Sequence, residues 1–394
     1  MIKLRTQIGI VGAGPAGLVL GRLLHLAGID AVVIELRSRK YAEERIRAGV
    51  LEQTTVDLFR EVGMADRLNR EGMLHHGIHL GFRNKRHRID LTDLTDGKSV
   101  TVYAQHEVVK DFIARRLSDC LPTFFEATNV TTHDLITGTP SIRFIHAGEE
   151  YELACDFIAG CDGFHGICRH SIPESALTLY DREYPFAWLG ILAEAPPSLH
   201  ELVYQNSPRG FALYSMRSPA ITRLYLQCAP NEDLNAWSDD RIWNELALRL
   251  RGEDGWLPHS GRIIQKGVTG MRSFVTEPMQ YGRLFLLGDA AHIVPPTGAK
   301  GMNLAISDAV FFSRALESFY KSGRADDLRH YSATCLRRVW KVQRFSWWMT
   351  SMLHTSQGCN PFDQQRQIAE LDYVTTSRAA ATTLAENYVG LPFQ

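Results

Sequence analysis

The sequence predicts a mixed α/β (α+β) fold: an α/β unit, an inserted antiparallel β-sheet and a C-terminal helical segment. Three observations carry this. Residues 8–17 read IGIVGAGPAG, a short apolar strand running into G-x-G-x-x-G and then an apolar helix through Leu18, Leu20, Leu23 and Leu24. Two later stretches, FIAGCDG at 157–163 and GRLFLLGD at 282–289, repeat the scheme of a small strand reaching glycine and an acid. Between them lie runs that alternate apolar and polar residues, as half-exposed antiparallel strands do.

The opening stretch is Rossmann-like. Gly12 permits the tight turn, Gly14 lets the backbone approach a pyrophosphate, and Gly17 lets helix and strand pack closely. The helix N-terminus then offers free N–H groups to phosphates. A second strand, 31–34, ends at Glu35, where an acid takes ribose hydroxyls. A glycine-rich turn that only packs a helix is the plain alternative, and the acid after the second strand argues against it.

With 394 residues, 45% hydrophobic and 22% charged, the chain is long enough for two to three domains. A formal net charge of −1 offers no global field for nucleic acid or membrane surfaces. No apolar run has the length of a membrane span. Lys3 and Arg5 before an apolar stretch imitate a secretory signal, but the glycine fingerprint accounts for that stretch better. Seven cysteines without C-x-x-C spacing point to neither metal nor disulfides, so reduced thiols in a cytoplasm are expected.

In chain order, RSRKYAEERIR (37–47) is a charged run, either a solvated connection or an anion site. Residues 48–62 suggest an amphipathic helix. Strands are expected in GIHLGF, HRIDL and SVTVY with a turn at Gly97, then a helix over 107–117 and a hairpin turning at Ala147-Gly148. FAWLGILAE, ELVYQN, GFALYSMR and TRLYLQ read as an antiparallel sheet. Helices follow at 239–250, 302–320 and 328–354, the last carrying Trp340, Trp347 and Trp348 as core or subunit contact. The interleaving places a discontinuous nucleotide domain at 1–74, 98–180 and 268–325, a sheet domain at 75–97 and 181–267, and a helical interface segment at 326–394, with a cleft between domains as the ligand site.

Three glycine–acid sites suit an extended cofactor better than one small nucleotide. GAGPAG, CDGFHGICR and GDAAHIVPPTGAKGMNLAISDA together resemble the three signatures of the single-component flavoprotein aromatic hydroxylases. The resemblance extends through ELVYQNSPRGFALYSMRS, RLYLQ and AENYVGLPF, covers nearly the whole chain, and is narrowest toward members acting on 4-hydroxybenzoate. It implies non-covalent FAD. Glu35 would hold the adenosine ribose, Asp289 the ribityl chain and Asp162 a third contact, with Arg45, Arg47, Gln105, Gly298 and Asn303 also at the cofactor. The loop Pro295–Gly298 and the following helix N-terminus would face the flavin ring.

The same resemblance implies a substrate with a carboxylate and a phenol. Arg217 would grip the carboxylate through a bidentate fork. Ser215, two residues away on the same strand face, and Tyr225 would add hydroxyls, and Pro296 would lie beside the ring. Tyr204 and Tyr388 would hydrogen-bond the phenol oxygen in sequence, and His75 would link them to solvent, because ring attack needs a phenolate. Judged alone, His75 reads as a surface histidine. Arg223 would support movement of the flavin, with Trp188 as a neighbour.

The implied reaction uses NAD(P)H and O2 through a flavin C4a-hydroperoxide and yields 3,4-dihydroxybenzoate. Arg37, Tyr41, His165, Arg169 and Arg272, with Arg47, match positions for NAD(P)H. Leu36 replaces an arginine typical of NADPH-preferring members, so NADPH is expected with NADH possible. A homodimer is expected. Alternatives are a hydroxylase of a related benzoate, a flavin reductase without oxygen insertion and a redox-sensing flavin module. The two-ended polar pocket argues against the last two.

Overall fold

The computed structural model describes residues 1–45, 47, 49–355 and 360–393. Its nucleotide sheet has six strands in the order 280–281, 284–286, 157–160, 8–11, 31–34 and 123–124, all parallel except the first pair. The strands expected at 8–11 and 31–34 have those bounds, and the fingerprint helix is Pro15–Leu26. Gly160 pairs with both Val11 and Leu286. That register brings Gly12, Asp162 and Asp289, far apart in sequence, to the carboxyl edge of one sheet, where open α/β sheets bind ligands.

A second sheet has eight strands in the order 292–293, 262–277, 178–194, 221–228, 212–218, 203–205, 77–82 and 85–90. It is antiparallel as expected, save that Val203–Gln205 runs parallel to Gly77–Phe82. The strands Thr178–Glu194 and Arg262–Glu277 are longer than the alternation suggested and pair with each other, with register shifts between Glu183 and Ala187 and between Leu192 and Ala193. Ile2–Arg5 is a strand as well, paired parallel with Glu149–Ala154, and the hairpin turns at Ala147 and Gly148 with φ of 50° and 83°.

Two expected helices differ. Residues 48–62 divide into a strand Val50–Leu51 and a helix Gln53–Glu61. Ala48 lies outside the described residues. Val50 pairs with Val102, and the Asn303 amide donates to the Val50 carbonyl while its oxygen accepts the Glu52 N–H, so tertiary hydrogen bonds claim backbone that an amphipathic pattern offers to a helix. The 328–354 helix is two, Asp326–Arg329 and Tyr331–Leu353.

Apolar side chains form two cores, one around the nucleotide sheet and one around the eight-stranded sheet. The helix Tyr331–Leu353 bridges them: Tyr331, Cys335 and Val339 sit in the first, Phe345, Met349 and Leu353 in the second. Helices Pro361–Thr376 and Arg378–Val389 close the second core. Trp340 and Trp347 are exposed rather than core; Trp340 meets Tyr180 edge-on and donates to Glu277. Among the described residues the cysteines are free, and no helix is long and apolar enough to cross a membrane. Cys359 lies outside the described residues.

Candidate active site

The three fingerprint glycines are held for different reasons. A Cβ on Gly12 (φ +109°) would stand 2.3 Å from the Cys161 carbonyl oxygen, and one on Gly17 would stand 2.1 Å from the Gly12 oxygen. A Cβ on Gly14 would meet nothing within 4 Å. Gly14 caps the helix Pro15–Leu26 with no side-chain hydrogen bond, and the first turn carries no acid. Open space over bare helix N–H groups is the setting a pyrophosphate requires, so the cradle fits a dinucleotide. Gly12→Ala is expected to destabilise the fold by about 3 kcal/mol, from the clash and the positive φ together. Gly14→Ala should leave the chemical-denaturation midpoint nearly unchanged yet weaken FAD uptake, read by retention of yellow colour on gel filtration.

Around this cradle Glu35 accepts N–H bonds from Ala13 and Arg37, both at 2.7 Å, and stays half-buried beside it. Arg47 faces Asp289 at 3.7 Å. Gln105 begins the helix Gln105–Ser118. Arg37 and Arg45 lie over the Tyr41 ring at 5.3 and 5.8 Å, and Leu36 beside them is exposed. This is a cationic, solvent-facing cluster suited to an anion.

Other expected ligand residues are occupied within the protein. The Asn303 side-chain amide is spent on Glu52, Val50 and Ala299. One Asp162 oxygen accepts the Cys168 N–H in the first turn of the short helix Ile167–His170; the other is buried without a partner among the described residues. Arg169 is buried, donates to the Ala290 and Phe164 carbonyls and lies against Phe164 and Phe274. Arg272 pairs with Asp181 and Glu183, while His165 is exposed beside Phe164. Gly298 is buried against Phe345 and Ser346; Pro296, at the start of the turn Pro296–Gly298, is exposed.

Sheet register assembles the second half of the site. Tyr204 pairs with Leu213, Leu213 with Tyr225 and Tyr225 with Gly190, so this row shares one face. Ser215, Arg223 and Trp188 lie two residues along their strands from that row and share the face. Arg217 falls where the register shifts between Met216 and Ser218, an irregularity of the kind that re-aims a side chain. Gly190 went unremarked in the sequence: a Cβ there would stand 2.8 Å from the Arg223 guanidinium, so the glycine makes room for it.

Arg217 and Arg223 both act on Tyr225, and the Arg223 guanidinium lies 5.0 Å from the centre of its ring. Burial would raise the phenol pKa, but Arg223 and Arg217 outweigh it and hold Tyr225 below the usual tyrosine value. Burial lowers Arg217. Among the described residues neither arginine pairs with a carboxylate, and the Nε of each is buried without a partner. Two neighbouring half-buried guanidinium groups without a counter-charge repel one another, a cost that an anionic ligand offsets.

Opposite them stands the phenol pair. Tyr204 and Tyr388 hydroxyls are 2.7 Å apart, and both side chains are fully buried. Burial, then the neighbouring Tyr388, keeps Tyr204 well above the usual tyrosine range. Tyr388 comes from the C-terminal helix, which is tied in by Lys300: its Nζ donates to the Tyr388 carbonyl at 2.9 Å and to Glu52 at 2.7 Å. This buried Lys300–Glu52 pair, and the buried His292–Asp308 pair (2.6 Å) that holds the GDAAH turn on the helix Gly301–Ser322, went unread because isolated charges in a loop carry no periodicity.

His75 is fully buried on Met73–His75, against the surface position its neighbours suggested, and both ring nitrogens lack partners among the described residues. Burial lowers its pKa to about 4. As pH falls through 6.5 the unfolded chain takes this proton and the folded chain does not, so stability drops between pH 6.5 and 4 by as much as roughly 3 kcal/mol. His75→Asn should flatten that slope in urea titrations at pH 7, 6 and 5.

A separate open cavity of about 610 Å³ lies beside Arg209, Trp237, Arg241 and Arg249. Its arginines are spent: Arg209 and Arg249 on Glu245, Arg241 on the Ala236 carbonyl.

Comparison with known proteins bears on the fold and the family. The family described as FAD binding domain matches residues 5–346. The p-hydroxybenzoate hydroxylase of Acinetobacter baylyi is 49% identical over 394 residues, covering 100% of this chain and 97% of that one. Among solved structures, p-nitrophenol 4-monooxygenase of Pseudomonas putida superposes with a TM-score of 0.83 at 17% identity over both whole chains. Aklavinone-11 hydroxylase, crystallised with FAD and aklavinone, gives 0.72 at 20% identity over 90% of this chain and 70% of that one. These last two speak for the fold. With a phosphate cradle at one sheet edge, a two-ended polar face beside it and a relative nearly half identical along its whole length, this chain belongs to the FAD binding domain family, among its aromatic hydroxylases.

Proposed function

We propose that this protein hydroxylates 4-hydroxybenzoate to 3,4-dihydroxybenzoate with FAD, NAD(P)H and O2. The observation that carries the reading is the pair Arg217 and Arg223 against Tyr225, without a carboxylate partner among the described residues and on the sheet face that also bears Tyr204. Bound FAD supplies the reduction by nicotinamide and the activation of dioxygen; the chain supplies position and proton control. Arg217 and Ser215 hold the carboxylate, and Tyr225 fixes the Arg217 fork. Tyr204 takes the phenol proton while its own passes to Tyr388, and neutral His75, buried and unpartnered among the described residues, carries it outward once it turns to meet Tyr388. Glu35, Asp289, Arg45, Arg47 and Gln105 line the FAD side, with Asn303 and Asp162 shaping the backbone there. Arg37, Tyr41, His165 and Arg272 take NAD(P)H transiently, with Arg169 holding the wall behind them. The proposed domain division separates the nucleotide sheet from the eight-stranded sheet, with the strands Thr178–Glu194 and Arg262–Glu277 crossing its boundaries, and free thiols suit a reducing cytoplasm.

The test is a turnover assay. Purified holoprotein with NADPH should oxidise it slowly, and 4-hydroxybenzoate should accelerate flavin reduction and give 3,4-dihydroxybenzoate in near-equal amount to NADPH consumed. Oxidation yielding only hydrogen peroxide with every hydroxybenzoate tried would refute the reading in favour of a reductase.

A further inference from the structure

The structure assigns a positioning role to His354, at the C-terminal end of the helix Tyr331–Leu353: its bare ring nitrogen holds the indole of Trp188, and through that indole it aligns both poles of the aromatic-acid pocket. The inference rests on the functional reading above for what the pocket binds, but its geometry is independent of it.

His354 is buried, and its two nitrogens have unlike partners. Nδ1 lies 3.0 Å from the Thr350 carbonyl, which only accepts, so Nδ1 carries the hydrogen. Nε2 is therefore bare and accepts the Trp188 indole N–H at 2.7 Å. Burial, which lowers the ring's pKa to about 3, keeps this neutral form across the working range. A protonated ring would set one N–H against another.

Ring contacts lead outward from that bond in two directions. The His354 ring stacks on Phe186 at 4.7 Å and lies 4.3 Å from Phe211. Trp188 stacks on Phe211 at 5.3 Å and packs on Tyr225 at 4.7 Å. Tyr225 is the residue that Arg217 and Arg223 share. Phe211 in turn meets Tyr204 at 6.3 Å, the inner member of the phenol pair. One aromatic stack thus backs the carboxylate pole and the phenol pole together, and the histidine is the member whose hydrogen bond fixes the indole's rotation.

The same helix end is stapled to the sheet. Asn206 donates to the Leu353 carbonyl at 3.1 Å, and the Gln227 oxygen accepts the Thr355 N–H at 3.1 Å. His354 therefore cannot drift away from Trp188 without unpicking buried backbone bonds.

The experiment is a double-mutant cycle on the holoprotein with His354→Phe, which keeps a flat ring and removes the acceptor, and Trp188→Phe, which removes the donor. In the parent background His354→Phe is expected to raise the Kd of 4-hydroxybenzoate, read from the flavin absorbance change, by about tenfold, the scale of one buried donor left unpaired. It should also divert more NADPH oxidation to peroxide. In the Trp188→Phe background the same change should cost less than about threefold, and His354→Gln, which keeps an acceptor, should recover most of the parent's affinity. Deuterium exchange of the Trp188 indole proton should quicken at least about tenfold in His354→Phe. Equal cost of His354→Phe in both backgrounds, or an unchanged exchange rate, overturns the inference. A parent that does not bind 4-hydroxybenzoate defeats the functional reading instead, and the exchange measurement then decides the His354–Trp188 link by itself.

Discussion

Replacing Arg217 by lysine is expected to weaken 4-hydroxybenzoate binding by roughly 30- to 100-fold, about 2–3 kcal/mol, the scale of a charge-assisted bidentate pair. Lysine keeps the charge but not the planar fork, and its ammonium is costlier to desolvate where Arg217 lies. The structure adds a reason that the residue type alone does not provide. Arg217 is braced against Tyr225 beside a second guanidinium, Arg223, and its Nε is buried without a partner among the described residues. Lysine keeps a positive charge nearby but not the guanidinium donor that Arg217 sets against Tyr225, so the phenol should move part of the way back toward the ordinary tyrosine value. Two readouts follow, the Kd from the flavin spectrum and the Tyr225 titration by ultraviolet difference. Affinity within threefold of the parent would remove Arg217 from the carboxylate site.

The second large effect is expected at the other pole. Tyr204→Phe removes the hydroxyl 2.7 Å from that of Tyr388 and leaves the phenol of the substrate without its first proton acceptor. General acid–base steps of this kind contribute about 10²–10⁴-fold, so the hydroxylation rate should fall by at least about 100-fold. Flavin reduction should change little, since it needs no phenolate. The product-to-NADPH ratio should therefore collapse, with peroxide making up the difference. A Tyr204→Phe protein that still converts most NADPH into 3,4-dihydroxybenzoate would show that the phenol proton leaves by another route. Tyr388→Phe should share the defect more mildly, because Tyr204 would retain contact with the substrate.

Some of this chain was legible from its residues alone. The strand 8–11, the helix after it and Glu35 were readable because a glycine turn, a hydrophobic run and an acid at fixed spacing are local features. The strands at 77–82, 212–218 and 221–228 were readable from alternation, which follows from the pleat. The extra strand at Val50–Leu51 was not, since Asn303, some 250 residues away, supplies the hydrogen bonds that claim it. Nor was the burial of His75, whose neighbours His76 and His79 suggested a surface.

What the sequence determined by itself is the inventory: three glycine–acid turns, an arginine and a serine two apart on one strand, and tyrosines distant from one another along the chain. The tertiary structure decided which of these meet. Register across the eight-stranded sheet sets Tyr204, Leu213, Tyr225 and Gly190 in one row, and a register shift places Arg217. The C-terminal helix brings Tyr388 to Tyr204. Long-range packing likewise spends the Asn303 and Arg169 side chains within the protein and gives His354 its bond to Trp188. The physical reason is one of range. Propensity and periodicity act over a few residues, whereas pairing of buried charges and hydroxyls is settled by whichever partners the closed core brings within about 3 Å.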